Sequence, residues 1–166
     1  MSGSYNYTRI EDPTLAVGRC FDWSFLPGGQ ACTAQNPLVP GSNTNGPGLV
    51  YINGNPLPQA PRWVGDFSLR YGVPVGPSGE LYLFTDMSYR TEMNFFLDKE
   101  LEFTGPSLFQ LGVRIGYTWA NSKYEVAVFC RNCTDQIRNT GGINFENFTG
   151  FINDPRIVGG QLTARF

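Results

Sequence analysis

The stretch PRIVGGQLTARF, residues 155–166, decides how the rest of the chain is read. Counting back from its end, apolar or small side chains fall at every second position: Phe166, Ala164, Leu162, Gly160 and Val158. Arg165, Thr163, Gln161 and Gly159 lie between them. A strand produces this period of two, because successive side chains point to opposite faces. One face of this strand is greasy and the other polar. A soluble sheet alternates in the same way, so the weight comes from repetition of the pattern upstream.

The pattern does repeat. Residues 123–135 set Tyr124, Val126, Val128 and Cys130 against Glu125, Ala127, Phe129 and Arg131. Residues 106–120 set Phe109, Leu111, Val113, Ile115, Tyr117 and Trp119 against Gln110, Gly112, Arg114, Gly116 and Thr118. Over 79–94, Leu81, Leu83, Met87 and Tyr89 oppose Glu80, Asp86, Ser88 and Arg90, although Tyr82 and Phe84 also fall on the polar side. Over 61–75, Trp63, Phe67, Leu69, Tyr71 and Val73 oppose Arg62, Asp66, Ser68 and Arg70. Residues 4–11 read as a further strand. No segment has a helical period. The fold class is therefore all-β, an antiparallel up-and-down meander of about six strands.

The connections alternate in length. Residues 12–60 form a long Pro/Gly/Asn-rich loop without period, GPSG at 76–79 a tight turn, 95–105 a medium loop, ANS at 120–122 a short turn and 138–154 a long loop. Short turns on one side and long loops on the other are the habit of a transmembrane β-barrel, whereas a sandwich scatters long loops at both ends. In an up-and-down meander the turns at 75–79 and 120–123 share a side. Tyr71, Tyr117, Trp119 and Tyr124 then form one aromatic girdle, with Trp63 and Tyr89 toward the other side. The polar faces carry Arg70, Asp86, Arg114 and Arg131, and both charge signs on an inward face suit a wet lumen better than a dry core.

Composition agrees. The 166 residues hold one domain; 16% are charged and 14% aromatic. A net charge of −2 is too small for a nucleic-acid surface. No run approaches a spanning helix, but mean hydropathy, −0.22, is uninformative for barrels, which hydropathy plots miss. The start MSGSYNYTRIED has no basic region followed by an apolar run, so no signal peptide is read in this chain. Either the protein is cytosolic or Met1 is not the natural start.

There is no histidine, which removes Ser-His-Asp and Cys-His catalysis and the commonest zinc ligand. Cys20 and Cys32 flank a Gly/Pro-containing segment and are a disulfide candidate in an oxidising compartment. Cys130 and Cys133 read CRNC, without the helix of a redox site or the further ligands of a zinc site; they are expected to be two unrelated thiols. Asp66, Asp86, Glu92 and Glu125 are the candidates for a catalytic pair. Scattered acids on strand faces are ordinarily solvated or ion-paired, so no catalytic residue, cofactor or metal is expected.

The segment KYEVAVFCRNCTD, residues 123–135, resembles the penultimate strand of TonB-dependent outer-membrane receptors, which commonly ends in an NLTD-like motif. Asn132, Thr134 and Asp135 match, and Cys133 stands where leucine is usual. GGINFENFTGFINDPRIVGGQLTARF is similar to the last loop and strand of that family, with PR, a small pair and a terminal aromatic. NPLPQAPRW, residues 55–63, resembles the family's lead-in to a strand, and SYNYTRIED an earlier strand. The resemblance implies that residues 1–166 are a C-terminal segment of a bacterial outer-membrane barrel for active uptake of siderophores, cobalamin or oligosaccharides. Members carry a plug and about twenty-two strands; the plug and earlier strands are absent here. Its implied partners are outer-membrane lipid, the barrel-insertion machinery, for which Phe166, Ala164 and Leu162 form the assembly signal, and the remaining barrel. Self-association through edge strands is the other way to satisfy the edges of such a segment.

The competing reading is a small soluble β-barrel binding an apolar ligand, with the aromatic face lining its cavity. Either way, Phe67, Leu69, Leu111, Val113, Ile115, Val126 and Val128 share one face, turned to lipid or to each other, and Arg70, Arg114 and Arg131 take the opposite face.

Overall fold

The computed structural model describes residues 1–22, 30–43, 48–144 and 148–166. In chain order the strands are β1 (Ser2–Tyr5), β2 (Ala16–Gly18), β3 (Phe21–Asp22), β4 (Gln30–Ala31), β5 (Leu49–Tyr51), β6 (Trp63–Val75), β7 (Gly79–Arg90), β8 (Met93–Asn94), β9 (Thr104–Gly105), β10 (Leu108–Trp119), β11 (Tyr124–Arg131), β12 (Asn139–Asn144), β13 (Phe148–Ile152) and β14 (Ile157–Ala164). Among the described residues the helical content is a single 3-10 turn, Leu101–Phe103.

The chain is all-β, and its frame is a six-stranded antiparallel sheet in the order β1-β6-β7-β10-β11-β14. This is the up-and-down meander that the alternating segments predict. The two tight turns lie together, as Asn121 N donates to Ser78 O at 3.3 Å. The second turn has Ala120, Asn121 and Ser122 all at positive φ, 52°, 56° and 64°.

Register joins the apolar positions into rows across the sheet. One row runs Val73, Leu81, Tyr117, Val126, Leu162; the next runs Tyr71, Leu83, Ile115, Val128, and ends on Gly160. A third holds Phe67, Met87 and Leu111. The pleat places the polar rows on the other face. Arg70, Phe84, Arg114 and Phe129 make one such row, and Glu80, Thr118, Glu125 and Thr163 another.

The apolar face is bare. Leu69 is 52% exposed, Val128 59% and Leu162 81%. The sheet is open, with β1 and β14 as edges that do not pair with each other. Among the described residues the sheet is not closed into a barrel.

Burial is concentrated in the loops. Cys20, Cys32, Phe95 and Phe103 form a buried cluster, with Met93 and Phe96 packed on it, and Val50 and Ile52 are also fully buried. The reading of 12–60, 95–105 and 138–154 as plain loops is corrected accordingly. β2 pairs with β5, β3 with β4, β8 with β9 and β12 with β13. Most of these strands are two or three residues long, too short to show a period. The strand expected over 4–11 ends at Tyr5. Asn6 N still donates to Arg62 O at 2.9 Å, but Ile10 then exchanges backbone bonds with Gly54 and Asn55, both 2.8 Å, so the chain leaves the sheet to bind the loop.

Candidate functional site

The polar face carries one connected network near the tight turns. Arg70 makes a two-pronged contact with Glu80, at 2.9 and 2.7 Å, the geometry that a planar guanidinium offers a carboxylate. Its Cζ lies 4.8 Å from the ring centre of Tyr82. Tyr82 Oη donates to Glu125 Oε1 at 2.5 Å and accepts from Arg114 Nε at 2.7 Å. Arg114 also donates to Glu125 Oε1 at 2.5 Å and to Gln161 Oε1 at 2.7 Å. Arg165 adds a longer contact to Glu125 Oε2, 3.8 Å, and donates to Ser122 O at 2.7 Å. The network thus uses a side chain from each of β6, β7, β10, β11 and β14. It borders a trough of about 290 Å³.

Glycines make room for it. A Cβ at Gly72 would meet Glu80, one at Gly112 would meet Asp86, and one at Gly159 would meet the ring of Phe129 at 2.6 Å. Tyr82, an apparent break in the alternation, lies across Gly116 of the neighbouring strand and so fits among charged residues, while Phe84 sits in register between Arg70 and Arg114.

Of the residues singled out from sequence, Arg70 and Arg114 belong to this network. Asp86 and Arg131 share the same face further along and line a second hollow with Asp154. Leu162 and Ala164 lie on the apolar face of β14, paired with Val126 and Tyr124; Phe166 follows that strand and is fully exposed. Glu125 is occupied by two arginines and a tyrosine, and Asp66 accepts from Ser2 Oγ at 3.4 Å. Asp66 and Asp86 are diagonal neighbours on β6 and β7 and line one hollow with Ser68 and Ser88, whereas Glu125 sits in the network near the tight turns and Glu92 follows the end of β7. Among the described residues no group of three or more acids or cysteines is placed to hold a metal.

Both cysteine pairs are bonded. Cys20 is joined to Cys32. Cys130 is joined to Cys133, which corrects the expectation of two unrelated thiols. Asn132 between them has φ 46°, and this reversal brings the two Cα atoms to 5.6 Å. The same turn explains the NCTD residues physically. The buried Asn132 amide donates to Gln136 O and Asp154 O, at 3.0 and 2.9 Å, and its Oδ1 accepts from Thr134 Oγ1 and Gln136 N. Asp135 holds Arg156 through side chain and backbone, at 2.8 and 3.2 Å. Together they clamp the start of β14 to the end of β11.

The second assembly is the loop cap at the far end of the sheet. Asn36 and Asn55 exchange amide bonds of 3.0 Å, and Asn55 also donates to Leu97 O at 2.8 Å. Thr33 gives its N–H and hydroxyl to Glu102. Beneath them Glu100 is 1% exposed, with Arg19 Nε 3.7 Å from Oε1. Burial, and then the Asp98 charge, push its carboxyl up to about 7, against the pull of Arg19. Sequence reasoning missed Glu100, Asn36 and Asn55; the adjacent Phe95 and Phe96 were the one local signal of a core here.

No family model, curated protein or solved structure matches this chain.

Proposed function

We propose that the six-stranded sheet is a sector of a transmembrane β-barrel of the TonB-dependent receptor type, serving uptake of a scarce ligand across the bacterial outer membrane. The single observation that carries this reading is the pairing of faces. An apolar face spanning the sheet is left bare, while the opposite face carries a partnered ion network. Soluble monomers seldom expose a contiguous apolar patch beyond a few hundred Å². A barrel wall needs that arrangement, with lipid outside and water within. β6, β7 and β10 have 13, 12 and 12 residues, enough to cross a bilayer, which takes about 9–11 tilted residues. Tyr117, Trp119 and Tyr124 stack in series at the tight-turn end, with ring centres 5.9 and 5.6 Å apart, and Tyr5 packs on Trp63 at the other. Aromatic belts sit at such levels.

In this reading lipid covers the apolar face and further strands of the barrel pair with the edges, because unpaired backbone groups in lipid cost several kcal/mol each. The insertion machinery is the third partner. The reading is tested by refolding the chain with Trp23 replaced by phenylalanine, so that Trp63 and Trp119 emit, into vesicles carrying brominated lipid. Both tryptophans should be quenched by bromines near the headgroups. A chain that folds as a monodisperse species in water without detergent, and is not quenched, removes the proposal.

A further inference from the structure

A cleft of about 400 Å³ lies where β6 begins and β7 ends, at the far end of the sheet from the 76–78 turn. It is lined by Arg9, Arg62 and Lys99, with Glu92 as the opposing charge. Three cations therefore face one carboxylate. Among the described residues none of the three makes an ion pair. Arg62 Cζ rests 5.4 Å from the ring centre of Tyr7, a contact that orients the guanidinium and leaves its N–H groups free to donate.

The neutral groups of the wall are donors too. Thr8 Oγ1 accepts from Leu57 N at 3.0 Å, and Thr91 Oγ1 accepts from Trp63 N at 3.1 Å, so each hydroxyl keeps its proton to give. Asn94 also lines the cleft; it is 6% exposed, and its Nδ2 has no hydrogen-bond partner. A buried donor left without a partner is unfavourable, and an acceptor that reaches it removes that cost. The cleft has donors and positive charge in excess, and its size is that of a small-molecule site, about 300–1,000 Å³.

We infer that this cleft binds an oxygen-rich carboxylate: a hydroxycarboxylic acid or an acidic sugar, whose carboxylates meet Arg9, Arg62 and Lys99 and whose hydroxyls meet Thr8, Thr91 and Asn94. Arginine matches the two oxygens of a carboxylate, and a neutral sugar leaves the three cations without a partner. The inference rests on the receptor reading only in naming the ligand as cargo; the site is built by this chain.

The test is calorimetric titration of the full chain, folded in detergent micelles, with citrate, digalacturonate and maltose. Binding of citrate alone identifies a free hydroxy acid, and binding of digalacturonate alone an acidic sugar. Arg62→Gln and Lys99→Gln should each weaken the bound acid by about tenfold or more, Glu92→Gln should strengthen it, and added salt should weaken it. Circular dichroism verifies that each variant keeps its strand content. The inference is overturned if neither acid binds the folded chain, if maltose binds as well as the acids, or if R62Q and K99Q bind like the unaltered chain. A chain that needs micelles to fold yet binds no acid loses this inference alone. One that is monomeric in water and binds acid loses the receptor reading alone.

Discussion

The ring of Tyr82 lies across the backbone of Gly116, so closely that a Cβ on the glycine would sit 2.6 Å from the ring. The two residues face each other on β7 and β10. The bare backbone lets the phenol lie flat and reach both Arg114 and Glu125. Gly116→Val should therefore destabilise the sheet by about 1–3 kcal/mol, read as a lower urea midpoint in micelles. Gly160, on the apolar face, meets nothing closer than Ala127 O at 3.8 Å, so Gly160→Ala should leave the midpoint nearly unchanged. Equal effects at the two positions would show that Tyr82 does not occupy that space.

Arg114 and Glu125 should be energetically coupled. Their side chains are largely shielded, and the 2.5 Å contact is reinforced by Tyr82. A double-mutant cycle with Arg114→Met and Glu125→Leu should give a coupling of about 1.5–3 kcal/mol, the range for hydrogen bonds to charged groups. Strict additivity would mean that water screens the pair completely.

The loop cap should weaken as pH rises. Glu100 has its folded pKa raised from 4.5 to about 7, because burial disfavours the charged carboxylate. Between those values the folded state holds a proton that the unfolded state has released. Its contribution is fully present below pH 4.5, declines as pH rises, and is gone once pH passes about 7. Hydrogen exchange over residues 93–105, corrected for intrinsic rates, should show less protection at pH 8 than at pH 5. Glu100→Gln should abolish that difference; persistence of the difference in E100Q would assign it to another group.

All four cysteines should resist alkylation in unreduced protein and react after reduction. Peptide mapping should recover the 20–32 and 130–133 pairs. Alkylation of Cys130 or Cys133 without reductant would restore the separate-thiol reading.

Removing Phe166 from an outer-membrane barrel that carries this sheet should lower its level in the membrane without changing ligand affinity in the fraction inserted. Phe166 makes no packing contact that would explain a stability effect, being fully exposed. Undiminished insertion would count against its role as an assembly signal.

The alternation along 61–75, 79–94, 106–120, 123–135 and 155–166 was enough to determine the long strands, the meander and the sorting of side chains into two faces. That information is local, because the pleat turns sequence parity into sidedness. The apolar rows through Leu81 and Ile115, and the opposite placement of Arg70, Arg114 and Arg131, follow from it. What only the tertiary structure decided lies in contacts that join distant segments. Thr33 meets Glu102 across 69 residues and Asn36 meets Asn55 across 19. The short turn at Asn132 brings Cys130 to Cys133 through a positive φ that a CxxC spacing does not specify. Glu100, one acid among several in DKELE, acquires its raised pKa because the folded loops exclude water from it. The bareness of the apolar face was equally beyond the sequence, since the same period is written whether a strand turns its greasy side to a core or to lipid.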